Sequence, residues 1–252
     1  MAKNILFIVE GKRDESNLLI SSFRRVLKLT DEDVVIHKYK SSIYSLYNRV
    51  KAGEYDSFLS FLYSLDKSIF SDKTVTPENT FSSVFLIFDL DPQSKEYNLA
   101  NLIEMCNYFS DETRNGKIYL SVPMSQSIFD FTSYNQPAFN KRCYRIDRLS
   151  SSYKRESREA SFLSAKYGTK AFRTIKIEDI YSVTLLNMKK YCYLLGRSFD
   201  GDWLFPFDSK EIVVAENDYI KSGCVSVLCG GILLIPDYSI FLLNELKKRK
   251  KE

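Results

Sequence analysis

Two short apolar runs, each closed by acidic residues, constrain this chain more than anything else in it. Residues 4–9 read Asn-Ile-Leu-Phe-Ile-Val and end in Glu10-Gly11, and residues 83–88 read Ser-Val-Phe-Leu-Ile-Phe and end in Asp89-Leu90-Asp91-Pro92. Runs of that length without polar alternation belong to strands buried on both faces, as in a parallel sheet covered by helices. Pro92 cannot donate to a ladder, so the second run stops there and leaves both aspartates at its carboxyl end.

The segments between the runs complete the pattern. Leu18, Leu19, Phe23, Val26 and Leu27 recur at helical spacing after Gly11. Residues 33–39 read as a second strand carrying His37, the only histidine, with no catalytic role. Residues 42–70 are rich in aromatics, Tyr44 among them, and predict two helices broken near Gly53, with the aromatics as packing. A helix over 99–109, a strand over 116–122 ended by Pro123, and a helix opening within 124–131 follow. This alternation predicts an α/β fold, a mainly parallel sheet with helices on both faces.

Beyond about residue 135 the pattern changes. A basic, polar stretch (140–173) precedes a helix (175–195), a strand near Ile212 to Ala215, an apolar run (225–235) broken by Gly230-Gly231, a short helix, and a basic tail from Lys247 to Lys251. The expected organisation is a core over residues 1–135 and a mixed, mainly helical accessory lobe over 136–252 packed on it.

Composition works by exclusion. Five cysteines without a C-x-x-C pair, and one histidine, argue against a Cys/His zinc site and against Ser-His or Cys-His catalysis. The odd thiol count fits a reducing compartment. There is no apolar run near the ~20 residues of a membrane span and no signal-peptide pattern, so a cytoplasmic chain with no membrane partner is expected.

The formal net charge is only +4, yet residues 141–173 hold ten Lys or Arg against three Asp or Glu. Such asymmetry points to an anionic partner. Lys141, Arg142, Arg145, Arg148, Lys154, Arg155 and Arg158, interleaved with Tyr144, Tyr153, Phe162, Tyr167 and Phe172, suit a phosphate backbone and stacked bases. A solvated face with core aromatics explains the same residues equally well.

The carboxylates carry the chemistry. Ligands of open α/β sheets bind off the carboxyl ends of strands, where Glu10 and the Asp89/Asp91 pair converge if their strands are neighbours. If the strand persists, both aspartates face one side and Leu90 points the other way into packing. Like charges at that range repel unless a cation compensates, and magnesium prefers such oxygen donors. Asp14 lies one turn past Glu10 and joins the set if the helix starts near Gly11. Lys12 is the basic residue expected to neutralise charge on a phosphate, with Arg13 beside it.

Ile8-Val9-Glu10-Gly11-Lys12-Arg13-Asp14 resembles the first motif of Toprim proteins, and Val84-Phe85-Leu86-Ile87-Phe88-Asp89-Leu90-Asp91 resembles the second. The resemblance covers roughly residues 3–135. It implies that Glu10, Asp89 and Asp91 bind Mg2+ (or Mn2+), with Asp14 matching the second acidic position of OLD-type nucleases. Residues 121–129 are similar to a strand-proline-helix segment of small Toprim-like proteins of phage-defence loci, where a glutamate is common near Gln126; this chain departs there, which puts a further metal contact in doubt. The family reading implies a stand-alone nuclease acting on RNA such as tRNA, or on DNA, as an anti-phage toxin effector. The chain has no P-loop of its own, which fits restraint by a partner ATPase, and a homodimer is compatible. Two rival readings remain. One is a non-catalytic module that binds nucleic acid or a partner. The other is a haloacid-dehalogenase-like phosphatase with Asp89 as nucleophile, although Pro92-Gln93 departs from that pattern.

Overall fold

The computed structural model describes residues 5–10, 14–70, 80–159, 161–168, 174–199 and 206–238. The first half runs β1 (Ile5–Glu10), α1 (Asp14–Leu27), β2 (Val34–Tyr39), α2 (Ile43–Ala52), α3 (Phe58–Leu65), β3 (Ser83–Asp89), α4 (Leu99–Tyr108), β4 (Ser110–Asp111) and β5 (Gly116–Ser121). The sheet order is β2-β1-β3-β5-β4. β2, β1, β3 and β5 are mutually parallel, and the short β4 pairs antiparallel with β5. The fold is therefore α/β with a mainly parallel sheet. β1 and β3, the two acid-ended strands, are direct neighbours.

Local chemistry sets the helix starts. Ser42, Ser57 and Asn98 cap α2, α3 and α4 by accepting from the backbone N–H three residues on. Caps of this kind contribute about 1 kcal/mol each. Gly53 closes α2 at the expected break. Every residue of β3 is buried, as a run without alternation requires. Phe85 and Phe7 meet Phe23 of α1, and Phe85 also meets Tyr238. Against the opposite face, Tyr47 of α2 and Phe58 of α3 pack on Phe109 at the end of α4.

The second half contains α5 (Gln136–Asn140), β6 (Cys143–Arg145), α6 (Lys154–Glu159), α7 (Phe162–Tyr167), α8 (Ile177–Leu194), α9 (Ser209–Lys221), β7 (Cys224–Ser226) and α10 (Leu234–Tyr238). β6 and β7 form an antiparallel ribbon. Two expectations are corrected. The strand near Ile212 to Ala215 is the middle of α9, because the Asp208 side chain caps that helix and Ile212, Val213 and Glu216 form one buried helical face. The helix expected within 124–131 is a 3-10 turn over Ser125–Phe129, which Met124 leaves without a side-chain cap. The tail at 247–251 lies outside the described residues.

This half closes the sheet. β4 covers only the start of β5, so the rest of that edge needs other partners. The Ser209 hydroxyl donates to the Ile118 carbonyl (2.8 Å) and accepts from the Leu120 N–H (3.1 Å). Val122 and Leu228 exchange both backbone bonds at 2.8 and 2.9 Å. Phe207 stacks on Tyr119 with centroids 5.3 Å apart. All five cysteines are free: Cys106, Cys192 and Cys229 are buried, Cys143 is exposed and Cys224 lies between. No helix of the described residues is long and apolar enough to cross a membrane.

Candidate metal centre

Glu10 is the last residue of β1 and Asp89 the last of β3. Their strands pair in register, with Val9 opposite Ile87, so both carboxylates emerge at the same sheet end. One oxygen each from Glu10, Asp89 and Asp91 lies within 4.8 Å of the other two. Backbone groups hold this cluster. The Asp89 N–H donates to Glu10 Oε2 (3.3 Å), and the Ser125 N–H donates to Asp89 Oδ1 (2.7 Å). Asp89 is only 2% exposed. The Gln93 side-chain amide donates to Asp91 Oδ1 at 3.0 Å.

The two aspartates converge by a route other than simple alternation. The strand ends at Asp89, Leu90 is fully buried, and Asp91 adopts a left-handed backbone at φ +45°. The Leu90 N–H still donates to the Ser121 carbonyl, which extends the β3–β5 ladder by one bond. The Asp91 N–H donates to the Pro123 carbonyl (3.0 Å), and the Tyr44 hydroxyl donates to the Leu90 carbonyl (2.6 Å). The peptide unit joining Leu90 to Asp91 is thus gripped at both ends.

Three carboxylates at this spacing fit a hard divalent cation. Two unit charges no more than 4.8 Å apart repel by at least about 3 kcal/mol at an effective dielectric of about 20. Oxygens on an octahedral magnesium stand no more than about 4.2 Å apart, given bonds of about 2.1 Å. Only small side-chain adjustments separate the present arrangement from that geometry. Asp14 is the first residue of α1, and Lys12, like Gly11 and Arg13, lies outside the described residues. Gln126, beside the Asp89-holding Ser125, is buried, and its side-chain oxygen makes no hydrogen bond among the described residues.

Tyr44, Gln93 and the backbone of Ser125 and Pro123 escaped the sequence reading. Tyr44 belonged to an aromatic stripe whose spacing signals packing, and its acceptor lies 46 positions away. No local pattern marks such a contact.

The basic segment divides in two. Lys141, Arg145, Arg148, Lys154, Arg155 and Arg158 are exposed. Arg145 pairs with Asp147 at 2.9 Å and Arg155 with Glu159 at 3.7 Å, both on the open surface. The Arg158 guanidinium lies over the Phe129 ring, 5.7 Å from its centroid. Phe129 ends the same 3-10 turn that begins with Ser125, and α6 packs on that turn. The exposed cations of α6 therefore neighbour the element that holds Asp89.

Arg142 is engaged within the fold. Its guanidinium donates twice to Asp130 Oδ1, at 2.9 and 2.7 Å, and once to the Tyr144 hydroxyl, so it pairs with a buried carboxylate while staying half-buried itself. Burial pushes the Asp130 carboxyl up from its usual range while Arg142 opposes that shift. The interleaved aromatics are also spent on packing. Tyr153 is fully buried edge-on to Tyr144, and Phe162 packs on Phe131 and Tyr134. Tyr167 donates to Asp179, and Phe172 lies outside the described residues.

Comparison of the chain with protein-family models, with curated proteins and with solved structures gave no match.

Proposed function

We propose that this chain is a Toprim-type nuclease that cleaves phosphodiester bonds in nucleic acid with a divalent metal, Mg2+ or Mn2+. One observation carries the reading: Glu10, Asp89 and Asp91 converge from the carboxyl ends of neighbouring parallel strands. That is the end of the sheet where open α/β folds bind ligands. A metal held there supplies charge neutralisation for the phosphate and lowers the pKa of an attacking water. Glu10, Asp89 and Asp91 are its oxygen ligands, and the Ser125 N–H fixes the Asp89 rotamer by occupying Oδ1. Lys12 is the proposed neutraliser of transition-state charge. Lys154, Arg155 and Arg158 of α6, which packs on the turn that braces the site, together with the exposed Lys141, Arg145 and Arg148, are the proposed grip on the phosphate backbone. The proposal extends to RNA such as tRNA, or DNA, as the strand, to anti-phage defence under a partner ATPase or as a homodimer, and to the cytoplasm as the place of action.

A phosphatase with Asp89 as nucleophile fits less well. A nucleophile must reach its substrate, and Asp89 is 2% exposed with one oxygen held by a backbone amide.

The test incubates the chain with labelled tRNA, single-stranded RNA and plasmid DNA in magnesium, manganese or EDTA. Cleavage is expected only with metal, falling at least about a hundredfold in Glu10→Gln and in Asp89→Asn. Turnover of small phosphate monoesters alone favours the phosphatase. Binding of nucleic acid without any cleavage overturns the nuclease and leaves the binding module.

A further inference from the structure

We infer that Tyr44 is a positioning residue for the metal centre, acting through the backbone of Asp91; the inference rests on the metal-binding reading above. Tyr44 lies in the first turn of α2 and is 5% exposed. Its hydroxyl donates to the carbonyl of Leu90, the residue between the two aspartates. On the other end of the same peptide unit, the Asp91 N–H is held by the Pro123 carbonyl. With both ends tied, the peptide plane cannot rotate, and that plane sets φ at Asp91. The observed value is +45°, a conformation that costs a non-glycine residue roughly 1–2 kcal/mol and persists only where surroundings impose it.

The consequence is geometric. At +45° the chain leaves the strand and turns the Asp91 carboxylate back toward Asp89 and Glu10. A strand-like φ at the same residue carries that carboxylate elsewhere. Tyr44 therefore pre-organises a ligand through the backbone it holds, as outer partners of metal ligands do elsewhere. The assignment also explains why the buried phenol of Tyr44 is directed at the loop between the two aspartates.

The test is Mn2+ binding by the full chain, followed by calorimetric titration and by the paramagnetic resonance of free Mn2+. Wild type, Tyr44→Phe and Tyr47→Phe are compared. Tyr47 is a matched control, a buried phenol on the same helix that interacts with Glu104 rather than with the aspartate loop. Tyr44→Phe is expected to raise Kd on the order of tenfold, while Tyr47→Phe leaves it unchanged. Equal weakening in both variants, or none in Tyr44→Phe, overturns the inference while leaving the metal centre in place. No Mn2+ binding by wild type overturns the metal centre itself and the inference with it. If Tyr44→Phe does not fold, hydrogen exchange at the Asp91 amide of the metal-free wild type decides. Protection typical of a sheet amide supports the clamp, and exchange at the rate of an open loop overturns it.

Discussion

Glycine 230 shows how tightly single positions govern the site. A Cβ there would stand 2.0 Å from the Leu120 carbonyl oxygen and 2.7 Å from its carbon, both backbone atoms that cannot swing aside. Leu120 lies in β5 one residue before Ser121, which pairs with Asp89. Gly230→Ala is therefore expected to destabilise by about 1–3 kcal/mol, the usual cost of overpacking, read as a lower denaturant midpoint with an unchanged slope. Mn2+ affinity should fall with it, because displacement of β5 moves the partner of Asp89. The acidic residues themselves were legible in the sequence, because an apolar run that stops at a carboxylate announces both a strand and its end. Ser125 was not, since it acts through a backbone amide 36 positions from Asp89 and its side-chain identity leaves no trace in that contact. The expected side-by-side projection of Asp89 and Asp91 also differs in cause. Alternation cannot operate once the strand has ended, and a left-handed turn does the work instead.

Among the elements, α8 carries the most consequential buried charge. Lys190 is 1% exposed, and its ammonium donates to the carbonyls of Phe139, Asn140 and Arg142, so one helix caps the end of α5. Burial lowers its pKa to about 8, with Glu216 on α9 and Cys143 on β6 opposing the shift. An unfolded lysine titrates near 10.4. Between those values the unfolded chain holds more protons, so stability rises as pH increases from about 8 to 10. Lys190→Met should abolish that rise. It also leaves three carbonyls without their donor, a loss on the order of 1–3 kcal/mol at pH 7. Denaturation of both proteins across this pH range checks the pair of effects. The neighbouring α9 explains the misread segment. Ile212, Val213 and Val214 are β-branched and suggest a strand, yet Val213 is buried while Val214 is 53% exposed. The local signal for a helix was present in Asp208 and Glu211, three residues apart, at the start of the pattern.

At the level of the whole chain, the sheet and the segments that finish it come from opposite halves of the sequence. β1 and β3 were readable because each is a self-contained run of apolar residues, and β5 because a strand-length segment ends at Pro123. How Ser209, Phe207 and Leu228 close the edge and face of β5 was not, because those contacts join residues 88 to 106 positions apart, in stretches whose local patterns carry no mutual signal.

The distribution of the thiols turns this arrangement into a built-in reporter. Alkylating reagents attack the thiolate, so a buried sulfur is shielded both by access and by protonation. Burial pushes Cys229 up to about 12 and raises Cys106 further still. Cys143 should therefore react within the dead time of a maleimide pulse, Cys224 more slowly, and Cys106, Cys192 and Cys229 only when the segments holding them open. Cys106 sits in α4 and Cys229 precedes the turn carrying Gly230, so mass spectrometry of pulse-labelled peptides times the release of the two halves separately. Simultaneous labelling of these two cysteines identifies one cooperative unit, whereas earlier modification of Cys229 shows that the closing segment detaches before the sheet melts.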